Sequence, residues 1–405
     1  MHVLFVAPEF PHYQRRFVQG LLEVGARVTG IGERPREALG ELGNRLHDYI
    51  RVPSVCHVPS LVGAVKTAQN KSWVDRLEAT VEAHVMAAAE ARQATGIPGL
   101  TVRQAVLCRD KPEMKAFLRS KGIPCAASTG ASSEAEVLEF AALHGYPLIL
   151  KPRDGAGAAG TFRVNSAAEL PAVLAATGVR DGRDVAVEEF IEGHEGFYDT
   201  LTIGGEVALD FVSHYYPNVL PAMRNRSVSP TIVATNRMAE SGYDELRAMG
   251  AKVVQEMGLG TTATHMEWFF GSKGLKFSEI GARPPGVGQW DLYAEGNEFD
   301  IYRQWAAAIV HGRLDQGPSR RFAAGIVNLR PDRDGRIQGY DGADELQRRF
   351  GEWVIDAHLP PPGTPTQPVE AGYMANAWVR MKHPDYDELR RMLGEVGALL
   401  RVRAG

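Results

Sequence analysis

Met266-Glu267-Trp268-Phe269-Phe270-Gly271-Ser272-Lys273-Gly274, running on to Ser278-Glu279-Ile280-Gly281-Ala282-Arg283-Pro284-Pro285-Gly286, decides how this chain is read. Two short apolar runs flank a Gly-Ser-Lys-Gly sequence, which predicts a β-hairpin turning at residues 271 to 274. The strands of such a hairpin bring Glu267 and Glu279 to one spot, and Arg283 follows four residues after the second carboxylate. Paired carboxylates suit a hard cation that bridges phosphates, and a fixed guanidinium suits developing anionic charge. His265 lies two residues before Glu267, so on a strand the two side chains share a face. A histidine there can donate to a phosphoryl or acyl-phosphate oxygen.

Upstream of the hairpin, Tyr146 to Pro152 is an apolar run that delivers Lys151 at its end. Arg153-Asp-Gly-Ala-Gly-Ala-Ala-Gly160 follows, too rich in glycine for helix or strand. Gly155, Gly157 and Gly160 let backbone N–H groups approach an anion, with Lys151 as a point charge beside them. The lysine precedes the glycines, so this is not a Walker loop, and strand follows at Thr161 to Val164, so it is not a dinucleotide fingerprint. A loop between two strands can instead fold over phosphates as a lid. Val187-Glu188-Glu189-Phe190-Ile191-Glu192-Gly193-His194-Glu195 sets a strand end against a turn. That segment reads equally as a hinge for an adenine edge and a ribose diol or as an acidic strand end facing water.

The flanking segments place these features in a larger frame. Residues 3 to 7 are a fully apolar, β-branched run, residues 12 to 24 have helical spacing through Phe17, Leu21 and Leu22, and strand character resumes at Ala26 to Ile31. That βαβ start predicts a parallel sheet covered by helices. Residues 74 to 95 read as one long helix, and Gly96-Ile-Pro-Gly99 closes the first unit. A second unit opens at Asp110-Lys111 with a helix through Met114, Phe117 and Leu118; another helix spans 133 to 144, with Ser132 or Ser133 as N-cap and Glu136 completing a capping box. The Pro-rich stretch at 360 to 368 reads as a surface loop.

With 405 residues the chain predicts two or three domains. Its 44% hydrophobic and 23% charged content is that of a globular protein, and the net charge of −4 supplies no field for nucleic acid or membrane. Three cysteines without close spacing predict neither a disulfide framework nor a zinc site, in keeping with a reducing cytoplasm. The apolar run near Met1 is too short for a membrane span and carries no basic leader, so it is read as a mature strand.

The ordered set Asp110-Lys111, Lys151-Pro152, Gly155 to Gly160, Glu188 to Glu195, His265-Met266-Glu267 and Glu279 to Arg283 resembles the ATP-grasp superfamily. The likeness is to its carboxylate–amine ligase branch, which includes L-amino acid (dipeptide) ligases, and covers residues 105 to 312 most strongly. The resemblance implies an α/β protein of ATP-grasp fold. It would comprise a pre-ATP-grasp domain at 1–105, an ATP-grasp domain at 106–313 with a mobile lid at about 115–187, and a small C-terminal α+β domain at 314–405.

It also implies ATP and Mg²⁺, with Mn²⁺ as a substitute, and small-molecule carboxylate and amine substrates; a homodimer is the common assembly. Lys111 and Lys151 would contact nucleotide phosphates. Glu188, Glu189 and the backbone at Phe190 and Ile191 would hold adenine, and Glu195 ribose. Glu267 and Glu279 would ligate the metal, Arg283 would stabilise the transferred phosphoryl, and His265 would stand beside the phosphorylated intermediate.

Two positions depart from the superfamily pattern. Gly281 stands where many relatives carry asparagine, which removes one side-chain oxygen from the metal motif. Ala158 and Ala159 stand in the glycine loop where a serine is common. An ATP-grasp enzyme of carboxylase or purine-biosynthesis type and a non-catalytic ATP-binding module are the competing readings. Substrate selection would fall to loops carrying Arg224, Arg226, Tyr215 and Trp290, where aromatic residues either line a pocket for an apolar or aromatic side chain or pack as ordinary core.

Overall fold

The apolar run at the N-terminus forms the strand His2–Val6, flanked by parallel strands Arg27–Gly32 and Arg76–Glu78, with Asp48–Arg51 completing a four-stranded parallel sheet. Alternate residues supply the cores on its two faces. Val3 and Phe5 pack with Phe17 and Trp305, while Leu4 and Val6 pack with Ile31 and Leu61. These relations come from a computed structural model that describes residues 1–153 and 160–405. The long helix expected over 74–95 is shorter, spanning Glu82–Thr95, because Arg76–Glu78 finds backbone partners on His2–Val6. Sheet pairing there outweighs the helical composition of the segment.

Helix Gln14–Glu23 of this unit lies against helix Ile301–His311. Gly20 permits the approach, since a Cβ there would stand 2.7 Å from the Tyr302 carbonyl oxygen. Phe17, Tyr302 and Trp305 fill the contact with edge-on rings. The N-terminal sheet therefore shares one core with the body of the protein.

A second four-stranded sheet, antiparallel, has the order Ser128–Ala131, Val185–Glu189, Leu148–Pro152, Phe162–Val164. Helices Glu134–His144 and Leu170–Thr177 cover it around a core of its own, which includes Phe140, Leu148, Leu150 and Val187. Ser133 caps the first helix, accepting from the Glu136 N–H at 3.4 Å, while Glu136 reaches back to the Ser132 N–H at 2.7 Å.

The central sheet has eight antiparallel strands in the order Gly274–Gly281, Ala263–Gly271, His194–Ile203, Glu206–Tyr216, Thr231–Ala234, Ala323–Leu329, Ala377–His383, Val354–His358. The hairpin expected around Gly271 to Gly274 forms its edge. The C-terminal segment supplies the last three strands of the same sheet and covers one face with helix Tyr386–Leu399.

Leu393 of that helix is fully buried against Val327 and Val379. Leu393→Ala is expected to lower the free energy of unfolding by about 2–5 kcal/mol, measured by urea denaturation. A loss below about 0.5 kcal/mol would mean that this helix does not hold the sheet together.

Candidate functional site

Strand register places the first charges. On the central sheet Glu267 stands directly opposite Glu279 on one side and Phe197 on the other, and two residues earlier His265 stands between Gly281 and Asp199. A bulge follows, because Trp268 pairs with Phe277 and leaves Ser278 unmatched. The His265 Nδ1 is 2.6 Å from Asp199 Oδ1, and its Nε2 is 3.9 Å from Glu267 Oε1. The Tyr293 hydroxyl donates to the other Asp199 oxygen. Asp199 therefore holds the Nδ1–H tautomer, and Nε2 is turned toward the carboxylate pair.

Lysines reach the same place from the second sheet. Asp110 caps helix Lys111–Ser120 by accepting from the Glu113 N–H at 3.0 Å, and its other oxygen pairs with Arg153 at 2.8 Å. That pair ties the helix start to the end of strand Leu148–Pro152, so Lys111 and Lys151 point into one cleft. Lys111 Nζ is 3.5 Å from Glu279, and Lys151 Nζ is 2.9 Å from Glu188. Glu188 also binds Lys115 Nζ at 2.7 Å, and Lys115 is only 1% exposed. Lys115 was missed in the sequence, where a lysine on a helix is indistinguishable from a surface one; only its place on the face shared with buried Met114 and Leu118 gave a signal.

Electrostatics in the cleft are strongly coupled. Burial opposes the charge on Glu188, but Lys115 and Lys151 outweigh it and hold the carboxyl at about 2. Burial, with the like charge of Lys151, pushes Lys115 down against the pull of Glu188. Burial and the neighbouring Glu279 and Glu195 push Glu267 up to about 8, and burial with Glu279 pushes Glu195 up to about 7. Burial also raises Glu279, yet Lys111, Lys151 and Lys115 hold it below the ordinary range. Glu267 and Glu279 offer the hard oxygen donors that Mg²⁺ takes, and a divalent cation held by them would offset their repulsion. Among the described residues no group of three or more His, Cys, Asp or Glu side chains could hold a metal ion. A cation at this pair thus needs further oxygens from phosphate or water.

Arg283 Nε pairs with Glu82 at 2.8 Å, and Arg283 Nη1 donates to the Pro284 carbonyl at 2.9 Å. Glu82 begins helix Glu82–Thr95 of the N-terminal unit, so the guanidinium is oriented from across the fold. A Cβ on Gly281 would stand 3.3 Å from the Glu82 carboxylate and 3.5 Å from the Arg283 stem. The glycine that departs from the expected motif is thus where this carboxylate fits. Glu82, Asp199 and Tyr293 left no local mark in the sequence, because their partners are between 66 and 201 residues away.

These groups border a cavity of about 750 Å³ between the two antiparallel sheets. Lys111, Lys151, Glu188, Glu189, Phe190, Ile191, Glu195, His265, Glu267, Glu279 and Arg283 all line it, as do Tyr215 and Arg224. Glu189 pairs with Lys273 at the hairpin tip, and the Glu195 carboxylate accepts from the Val219 N–H at 2.7 Å. The Arg163 guanidinium lies 4.0 Å from the centre of the Phe190 ring, and Arg224 donates to the Thr161 carbonyl. Gly160 has φ of 67° beside Pro152, outside the lining; Gly155 and Gly157 lie outside the described residues. Two residues expected near substrate stand elsewhere. Arg226 pairs with Asp334, and Trp290 is buried against Phe17 and Tyr302 in the shared core. Among the described residues no helix is long and apolar enough to cross a membrane.

Residues 116–299 match the family of the ATP-grasp domain, so the chain contains an ATP-grasp domain. It is 26% identical over 220 residues to an L-arginine-specific L-amino acid ligase of Bacillus subtilis, covering 53% of this chain and 52% of the relative. Dapdiamide A synthase of Enterobacter agglomerans is 27% identical over 248 residues, covering 57% of each. A formate-dependent phosphoribosylglycinamide formyltransferase of Synechococcus sp. (strain CC9311) is 26% identical over 249 residues, covering 59% of this chain and 61% of the relative. The chain thus spans about half the length of the curated relatives it matches. The crystal structure of an L-amino acid ligase from Bacillus licheniformis superposes with a TM-score of 0.78 at 18% identity, covering 100% of this chain and 98% of that one. The whole chain therefore has the mixed α/β fold of ATP-grasp ligases.

Glu188→Gln would leave Lys115 and Lys151 without their shared counter-charge, which is expected to cost about 3–5 kcal/mol of stability at neutral pH. Because Glu188 is held at about 2 in place of its ordinary 4.5, its contribution is full above pH 4.5 and fades as pH falls toward 2. Denaturation at a series of pH values should show the gap between wild type and variant closing across that window. A gap independent of pH would contradict the ion-pair assignment.

Proposed function

We propose that this ATP-grasp chain is an ADP-forming carboxylate–amine ligase that works through an acyl phosphate. The observation that carries the reading is the convergence, in one cavity, of two lysines, a facing carboxylate pair, Arg283 and the Asp199-held His265. The likeness to L-amino acid ligases supports amide formation between amino-acid-type substrates.

Lys111 and Lys151 would bind the nucleotide phosphates, with Phe190 and Ile191 bordering the adenine and Glu195 the ribose. Glu267 and Glu279 would hold Mg²⁺, which neutralises phosphate charge when bound. In the first step a substrate carboxylate oxygen bonds to the γ-phosphorus, the bond to the β-phosphate oxygen breaks, and ADP leaves with the electron pair. In the second, an amine nitrogen attacks the acyl carbon and the carbon–oxygen bond to phosphate breaks. His265 Nε2 accepts the proton released by the amine, and the imidazolium, stabilised by Asp199, faces the departing phosphate. Arg283, fixed by Glu82, stabilises the transferred phosphoryl. The protein supplies position and charge, which is most of what phosphoryl transfer requires.

A second reading takes formate or another small acid as the carboxylate partner, supported by the likeness to the formate-dependent formyltransferase. It shares the acyl-phosphate step and differs in the acid accepted.

ADP release should be measured with Mg²⁺ and panels of carboxylic acids and amines. Glu279→Ala and Arg283→Ala are each expected to lower kcat by at least about 100-fold. Normal ATP turnover by both variants would overturn the assignment.

A further inference from the structure

Lys111, Lys115 and Lys151 meet Glu188 and Glu279 in one part of the cavity. Beyond His265 the wall changes character. The His265 ring meets Phe197 edge-on at 5.0 Å, Phe197 meets Tyr215 at 5.1 Å, and Tyr215 stacks with Tyr373 at 6.2 Å. This row of rings leads from the reacting histidine to the C-terminal segment. Val219, Ile232 and Val287 also line the cavity, and the charged groups nearest this row are carboxylates, Glu195 beside the Val219 N–H and Glu267 across from Phe197.

Two details set this wall apart from ordinary core. The Tyr373 hydroxyl is buried and makes no hydrogen bond, although a tyrosine used only for packing would normally have found a partner or been phenylalanine. Val287 has φ of 49°, a left-handed backbone that a β-branched residue adopts only when its surroundings impose it. That conformation holds the valine in the cavity wall, immediately after Pro285 and Gly286 and four residues from Arg283.

We propose that the aromatic row with Val287 selects a carboxylate substrate bearing a bulky apolar side chain, branched aliphatic or aromatic, and that Tyr373 and Val287 determine this specificity. The inference rests on the ligase reading above and sharpens it. An anionic side chain at this end would meet Glu195 and Glu267, whereas a hydrocarbon side chain gains by leaving water against the rings. A single methylene in such a pocket is worth about 10- to 200-fold in specificity.

The test is ADP release with ATP, Mg²⁺ and amino acids of leucine, phenylalanine, arginine, glutamate and glycine type, together with formate, each as the acid. Leucine- and phenylalanine-type acids should exceed the others in kcat/KM by at least about tenfold. Tyr373→Ala and Val287→Gly should each raise KM for those acids by about tenfold or more, with kcat and the KM for ATP changed by less than about threefold. Val287→Gly also relieves the left-handed strain, so it should be no less stable than wild type in thermal unfolding and serves if Tyr373→Ala does not fold. Preference for a charged or small acid, or variants that lower kcat without moving KM for the acid, would overturn this inference and leave the ligase reading standing. If no acid supports ADP release, the ligase reading itself falls.

Discussion

Glu267 and Glu279 occupy facing positions on neighbouring strands, and two carboxylates so placed repel unless cations surround them. The rest of the cleft answers that constraint. Lys111, Lys151 and Lys115 come from the second sheet and the helix beside it, and their charge keeps Glu279 ionised while Glu267 is driven toward its neutral form. Glu188 in turn keeps the two buried lysines paired. The result is an alternating charge cluster in which phosphate and a divalent cation would find complementary sites, and in which few members can be removed singly without stranding another.

The N-terminal unit enters through two features. Its helix Gln14–Glu23 is fused to the central body by the ring cluster of Phe17, Tyr302 and Trp305, which fixes where helix Glu82–Thr95 stands. From there Glu82 reaches Arg283, and Gly281 leaves the room it needs. A position that reads in the sequence as a lost ligand lies, in the fold, in close contact with a carboxylate from a distant helix. Beyond His265 the cavity wall carries a row of rings, Phe197, Tyr215 and Tyr373, with Glu195 and Glu267 beside it.

Much of this was legible beforehand where the signal is local. The apolar run with a Gly-Ser-Lys-Gly turn specified the edge hairpin, alternation put His265 and Glu267 on one face, and a strand run ending in Lys151 placed that lysine at the end of strand Leu148–Pro152, in the cavity lining. Asp110-Lys111 marked the start of a helix, and Asp110 is its N-cap. Other parts carried no local signal. Arg76–Glu78 reads as part of a helix until a partner strand supplies its hydrogen bonds, and Arg226 and Trp290 look like site residues until packing takes one to Asp334 and the other into the core.

By itself, then, the sequence determined the hairpin, several of the charged residues that line the cavity and the α/β character of the chain, because turns, caps and strand alternation depend on neighbours a few positions away. Only the tertiary structure decided that Lys115 is buried against Glu188, that Asp199 holds His265, that Glu82 orients Arg283 and that Tyr373 closes an aromatic wall. Each of those contacts joins residues from separate elements, and their energies come from burial and from charges meeting in a cleft that exists only once the sheets have packed.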